Sequence, residues 1–200
     1  MGSSKKITPR RFIVYLLALV LLSLAQPHPV LFGIGLAFVL AGEALRLWGC
    51  GHLVKNQDVI MSGPFAYVKN PLYVGTFLIV TGFILQASNP GAPSRYLLYV
   101  GLPLFFAIFF LYYMPYKVQV EGDRLRRRFG EKFDEYDKNV PDFFPRLSRY
   151  GNATQKWQSH LLVENSEWGI LFIALAGSAV ILTKFFPFSE TYDLWKIIGQ

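Results

Sequence analysis

Apolar residues in this chain fall in long unbroken runs, neither at alternate positions nor along one stripe of a surface helix. Five runs stand out, at Phe12–Ala25, Val30–Trp48, Leu72–Leu85, Tyr96–Met114 and Trp168–Phe186. A helix needs about 20 apolar residues to cross a bilayer, so the runs predict five transmembrane helices, the first and third of them short. Gln26-Pro27-His28-Pro29 predicts a tight turn, and no small-residue cleavage site follows the first run as it would in a signal peptide. Lys117–Asn139 has another pattern: charged residues interleaved with Val118, Leu125, Phe129, Phe133 and Tyr136. Those positions share one helical face and predict an amphipathic helix, interrupted near Gly130 and ending near Pro141. The expected fold is all-α, a polytopic integral membrane protein with five transmembrane helices plus a cytoplasmic amphipathic helix. Gly33, Ala37 and Ala41 recur every fourth residue and predict a close packing face on the second helix. Ala174 and Ser178 have the same spacing in the last.

Composition agrees with the pattern, at 52% hydrophobic residues in a chain of 200. The net charge of +7 acts mainly as a topology signal. Lys5, Lys6, Arg10 and Arg11 precede the first run, Arg46, Lys55 and Lys69 flank the second connection, and ten basic residues lie between Lys117 and Lys156. The other side keeps Arg95, Lys184 and Lys196. Short loops rich in Lys and Arg stay in the cytoplasm, which predicts a cytoplasmic N-terminus and an opposite C-terminus. Acidic residues interleaved with the basic ones argue against nucleic acid as a partner. One cysteine, Cys50, excludes an intrachain disulfide and a cysteine metal cluster, and His28, His52 and His160 are too scattered to suggest a metal site.

Three polar clusters interrupt the apolar pattern. Glu43 and Arg46 lie within the second run, where ionisable residues are costly and usually face a cavity or a partner. Their spacing puts them on one face, so they can pair. Either Arg46 snorkels with Glu43 as counter-ion, or Arg46 offers its planar fork to an anionic substrate while Glu43 orients it. The second cluster is Ser62–Gly75, S-G-P-F-A-Y-V-K-N-P-L-Y-V-G, with its lead-in from His52 to Ile60. Pro64 and Pro71 stiffen it, Gly63 allows a tight turn, and Phe65, Tyr67 and Tyr73 offer flat faces. It reads either as an interfacial turn or as a loop shaped around a ligand. Lys117 and Glu121, one helical turn apart, are a surface pair or part of a site. The charge asymmetry puts all three clusters at the cytoplasmic face, where they can form one site.

These segments resemble a known group. G-E-x-L-R at Gly42–Arg46, the Ser62–Gly75 loop, E-x-x-x-L-x-x-x-F-G-x-x-[FY]-x-x-Y at Glu121–Tyr136 and V-P-x-F-x-P at Val140–Pro145 resemble the isoprenylcysteine carboxyl methyltransferase family, and in part the related phospholipid N-methyltransferases. The resemblance implies an integral membrane enzyme using S-adenosylmethionine. It assigns Gln57, Asp58, Val59, Ile60, Phe65, Asn70, Pro71, Leu72, Tyr73 and Glu121 to the cofactor, Arg46 to methyl transfer with Glu43 beside it, and Lys117 to the neighbourhood of the substrate. Asn70 stands where the family commonly has His, Phe65 where it often has Tyr, and Gly122 where many members have a second acid.

The resemblance implies a methyltransferase core over 1–149, its cofactor site built from 43–75 and 115–147. An extension over 150–200, carrying an extra helix, lies outside it. Methyl transfer from a sulfonium to a carboxylate needs no general base, because the acceptor is already ionised at neutral pH. A lipophilic carboxylate held by Arg46 is therefore the first expectation. An amine-headgroup lipid or a thiol is the second, although an amine must lose a proton and the sequence shows no clear base for it. A nicotinamide-dependent reductase on a similar scaffold and a non-catalytic membrane scaffold are the other readings. Expected partners are a lipophilic or lipidated substrate, membrane lipids and a second copy through the last helix.

Overall fold

A computed structural model describes residues 9–54 and 58–186, and those residues form helices and connecting turns with no strand. The helices are α1 (Pro9–Leu24), α2 (Pro29–Cys50), a 3₁₀ turn at Gly63–Ala66, α3 (Pro71–Ala87), the continuous helix α4 (Leu97–Phe129), α5 (Glu131–Asn139), α6 (His160–Glu164) and α7 (Glu167–Thr183). Pro29 and Pro71 open α2 and α3, as proline does where the first helical N–H has no partner to lose. Two helices, Pro29–Cys50 and Leu97–Phe129, are long and apolar enough to cross a membrane; Pro71–Ala87 and Glu167–Thr183 are apolar but shorter.

The expected fourth span and the amphipathic helix are one 33-residue helix. At about 1.5 Å per residue it runs on the order of 50 Å, beyond a hydrocarbon core of about 30 Å. Two π turns, Leu97–Gly101 and Phe109–Tyr113, lie just ahead of Pro103 and Pro115. A π turn shifts the hydrogen-bond ladder by one residue, which lets the helix pass a proline that has no N–H to donate. The break comes at Gly130, whose φ of 54° ends α4 and starts α5 in a new direction.

The core contact is α2 against α3, and it is a contact of backbones. A Cβ on Gly35 would sit 2.4 Å from the Gly82 carbonyl oxygen, and one on Gly42 would sit 2.6 Å from that of Gly75. The small-residue face is therefore Gly35, Gly42 and Gly49, at seven-residue spacing and buried. Gly33, Ala37 and Ala41 are exposed. Both series satisfy the rule for close approach; the seven-residue series wins because Gly75 and Gly82 repeat it on α3. On α7, Ala174 and Ser178 are buried. Phe77 of α3 joins this pair to α4, its ring 4.8–5.5 Å from Phe105, Phe106, Phe109, Phe110 and Phe143.

Placing a side chain against the Gly75 carbonyl and Ile79 should cost about 1–3 kcal/mol or more. Gly42→Val is expected to lower the thermal midpoint in detergent sharply, and Gly33→Val, with open space around it, to leave it within error. Equal effects would show that the helices do not meet at Gly42.

Candidate active site

The connection from α2 to α3 is held as a shaped loop. Gly63 takes a φ of 57°, and a Cβ there would fall 2.3 Å from the His52 ring. His52 Nδ1 lies 3.1 Å from Ser62 Oγ, and burial pushes the imidazole pKa below its usual value, which favours the neutral ring. The loop is sewn to the segment that follows α5. Lys69, Arg146 and Tyr150 donate backbone N–H groups to the carbonyls of Pro141, Tyr67 and Ala66 at 2.9, 3.0 and 2.9 Å. The Lys69 ammonium bridges Asp137 and Asp142 at 2.5 and 2.8 Å. Asn70 Nδ2 donates to the Asp142 carbonyl at 3.1 Å, and the buried Tyr136 hydroxyl to the Phe65 carbonyl at 2.8 Å. Burial first, then Asp142 and Asp137, raises the Tyr136 pKa, so the phenol stays a donor.

A cavity of about 390 Å³ opens between this loop, the last turns of α4 and α5. Asp58, Val59, Ile60, Phe65, Asn70, Pro71, Leu72, Tyr73 and Glu121 all line it. Gln57 lies outside the described residues. The volume falls in the range of small-molecule sites, about 300–1,000 Å³. The walls combine aromatic faces (Phe65, Tyr73, Phe129, Phe133, Tyr136) with the carboxylates of Asp58, Glu121, Asp137 and Asp142. Glu121 accepts the Tyr73 hydroxyl at 2.5 Å. Lys117 stands 4.0 Å from Glu121 and 5.9 Å from the centre of the Tyr73 ring, outside the lining. Lys132 pairs with Asp58 at 2.6 Å and holds its carboxyl below the usual range, chiefly through that hydrogen bond.

Arg46 is placed differently from the sequence expectation. Its fork meets Glu167, at 2.6 Å from Nε and 2.9 Å from Nη2, and Nη1 donates to the Leu72 carbonyl at 3.1 Å and the Thr76 hydroxyl at 2.7 Å. Glu43 neither pairs with Arg46 nor orients it; both its oxygens are buried with no hydrogen-bond partner among the described residues. The i, i+3 geometry allows the pair, but Glu167 from α7 offers a bidentate fit. Glu167 arrives there because the chain after Arg149 is bonded onto the end of α2. Trp157 Nε1, Gln158 N and Asn165 Nδ2 donate to the carbonyls of Leu47, Gly51 and Leu53 at 3.1, 2.8 and 3.0 Å. The Gly51 and Leu53 carbonyls lie past the end of the α2 ladder, and that of Leu47 also accepts the Gly51 N–H. Cys50 Sγ lies 3.1 Å from Glu167. The residue that sequence reasoning missed is thus Glu167, and its signal was an acid directly before an apolar run.

The described residues thus form a helical, strongly apolar fold with a cavity of small-molecule size where α2 and α4 end and α3 begins. Comparison narrows the class. The chain is 33% identical over 179 residues to the cobalt-zinc-cadmium resistance protein CzcN of Cupriavidus metallidurans, covering 85% of this chain and 74% of that protein. It is 32% identical over 124 residues to the protein-S-isoprenylcysteine O-methyltransferase of Xenopus laevis, covering 56% of this chain and 40% of the enzyme. The human enzyme matches at 29% over 123 residues, with the same coverage. No family model and no solved structure matches. The chain belongs to an isoprenylcysteine O-methyltransferase-like family, and its likeness to CzcN covers more of both chains than its likeness to the named enzymes. It spans about 40% of the length of those enzymes.

Removing one partner of a buried ion pair costs about 3–5 kcal/mol, whereas a buried carboxyl with no hydrogen bond to lose costs little to replace. Glu167→Ala is expected to destabilise the protein by that amount, and Glu43→Gln to leave it as stable or more so. Thermal unfolding in detergent checks the order, and the reverse order would mean that Glu43 holds Arg46.

Proposed function

We propose that the protein is an S-adenosylmethionine-dependent methyltransferase that acts on a lipophilic acceptor entering from the bilayer. The observation carrying this reading is the cavity lined by Asp58–Ile60, Phe65, Asn70–Tyr73 and Glu121, residues that the family resemblance assigns to that cofactor. The wall chemistry fits the group. Glu121, held by Tyr73, offers a carboxylate to a cationic amino acid end, and Phe65, Phe129 and Phe133 offer flat faces to a purine. Bound there, S-adenosylmethionine supplies an electrophilic methyl group on a sulfonium. A dry site suits the reaction, because the positive charge on sulfur is lost as the methyl leaves. Residues 43–75 and 115–147 build the cofactor site within a core of 1–149. Beyond that core, Glu167 reaches back to Arg46. A carboxylate acceptor remains compatible with this reading where it can exchange with Glu167 on the Arg46 fork.

The same reading places α1, α2, α3, the apolar part of α4 and α7 across the membrane as five spans, with the shorter helices matched by local thinning or oligomerisation. The N-terminus and the site then face the cytoplasm. Phe172 and Ile173 of α7 are exposed and suit lipid contact or a second copy.

Titration calorimetry of detergent-purified protein with S-adenosylhomocysteine tests the function. Micromolar binding that Glu121→Ala abolishes is expected, and no binding by folded protein sinks the reading. Reporter tags at the two ends test the topology: they are expected on opposite sides, and two cytoplasmic tags would contradict five spans.

A further inference from the structure

Arg46 and Glu167 both lie outside the lining of the cavity, yet a chain of bonds leads from them to it. Glu167 is 1% exposed and gives both carboxylate oxygens to the Arg46 fork. The remaining arm of that guanidinium, Nη1, crosses to α3. There it donates to the Leu72 carbonyl at 3.1 Å and the Thr76 hydroxyl at 2.7 Å. Thr76 Oγ1 donates in turn to the same carbonyl at 2.8 Å. Two side chains thus grip one carbonyl in the first turn of α3.

What that carbonyl controls is the next residue. The Leu72 C=O and the Tyr73 N–H belong to one planar peptide unit, so fixing the carbonyl fixes the plane from which the Tyr73 side chain leaves. The other end of the plane is held as well, because the Tyr73 N–H donates to the Asn70 carbonyl at 3.0 Å. Leu72 and Tyr73 line the cavity, and the Tyr73 hydroxyl donates to Glu121 at 2.5 Å. Glu121 is the carboxylate that the methyltransferase reading gives to the cofactor. The bonds therefore run without a gap from Glu167 through Arg46 and the Leu72–Tyr73 peptide to Glu121. Their far end is anchored independently of the cavity: Asn165, two residues before Glu167, donates from Nδ2 to the Leu53 carbonyl at 3.0 Å.

We propose that Glu167 is a positioning residue of the cofactor site, given the methyltransferase reading on which this rests. From α7, through Arg46 and the Leu72–Tyr73 peptide, it sets where Tyr73 holds the Glu121 carboxylate. Its charge keeps the Arg46 fork turned toward α7, and that orientation sends Nη1 to α3. Without the charge the buried guanidinium loses its bidentate partner. The carboxylate that α2 itself offers is Glu43, one helical turn away, and a fork turned toward it takes Nη1 off the Leu72 carbonyl. Helix α7 is thereby a working part of the cofactor site, although it lies outside the segments from Gly42 to Pro145 that carry the resemblance to methyltransferases.

The test is calorimetry of the full chain in detergent with S-adenosylhomocysteine. Glu167→Gln is expected to weaken binding by about tenfold, within the range for residues coupled through one hydrogen-bond network, and Tyr73→Phe to weaken it as well. The double variant is expected to bind no more weakly than Tyr73→Phe alone, because the path to Glu121 is already cut. Ile181→Ala separates this from a general loss of stability. Ile181 is fully buried with Ala25 and Ala87 at the other end of α7, so the change is expected to lower the thermal midpoint and leave the affinity as it was. Affinity unchanged in folded Glu167→Gln or Tyr73→Phe protein, additive losses in the double variant, or an equal loss in Ile181→Ala overturns the positioning role and leaves the methyltransferase reading standing. Absence of binding by the unmodified chain overturns both. If Glu167→Gln fails to fold, Thr76→Val takes its place, since it removes one grip on the Leu72 carbonyl without baring a buried charge. Weaker binding than in Ile181→Ala then supports the role, and unchanged binding overturns it.

Discussion

At Gly42 and Gly75 the backbones of α2 and α3 come closer than any side chain would permit. The Arg46 side chain then passes over Gly75, where an added Cβ would stand 2.4 Å from Arg46 Cγ. This contact decides more than packing. It lets a guanidinium on one helix reach the Leu72 carbonyl and the Thr76 hydroxyl on the next, near the N-terminus of α3, where the cavity begins. Hydrophobic burial gives little drive for helix association inside a membrane, so close van der Waals contact and polar bonds between helices must supply it. Here the two devices occupy the same place. The glycines admit the arginine, and the arginine ties the helices that the glycines bring together.

The extension after Arg149 follows from the same geometry. A buried guanidinium needs a counter-ion, and α2 supplies a carboxylate only at Glu43, whose oxygens make no hydrogen bond to it. Glu167 fills the need from 121 residues away. Its position is set by hydrogen bonds that close the C-terminal end of α2 rather than by anything in the cavity. Ion pairs of this kind add little net stability, yet removing one partner leaves a buried charge uncompensated. The Arg46–Glu167 pair fixes α7 over the α2–α3 seam and at the same time removes Arg46 from the set of free cations.

Much of this was legible in the sequence, and the failures have physical reasons. The apolar runs marked each long helix, and the proline- and glycine-rich loop marked one wall of the cavity, because both signals are local. Helix α4 was divided into two because its composition changes at Lys117, yet backbone hydrogen bonding does not depend on side-chain polarity, and the π turns carry the helix past Pro103 and Pro115. The packing face was misplaced because Gly33-Ala37-Ala41 and Gly35-Gly42-Gly49 are equally small; only the partner helix, with Gly75 and Gly82, selects between them. Glu167 was invisible for a similar reason. A lone acid beside an apolar run carries no information about which distant cation it will meet.

The sharpest consequence concerns charge. Sequence places an arginine at membrane depth, and an arginine there invites an anionic ligand. The fold answers that invitation from within the chain, by bringing Glu167 onto the guanidinium fork. The cavity wall beyond Leu72 has the same character: Asp58, Asp137 and Asp142 each face a lysine, Lys132 for the first and Lys69 for the other two, whereas Glu121 has a phenol and a more distant ammonium. Glu121 is the cavity carboxylate least matched by a close cation, and it is the one that the methyltransferase reading gives to the cationic end of the cofactor.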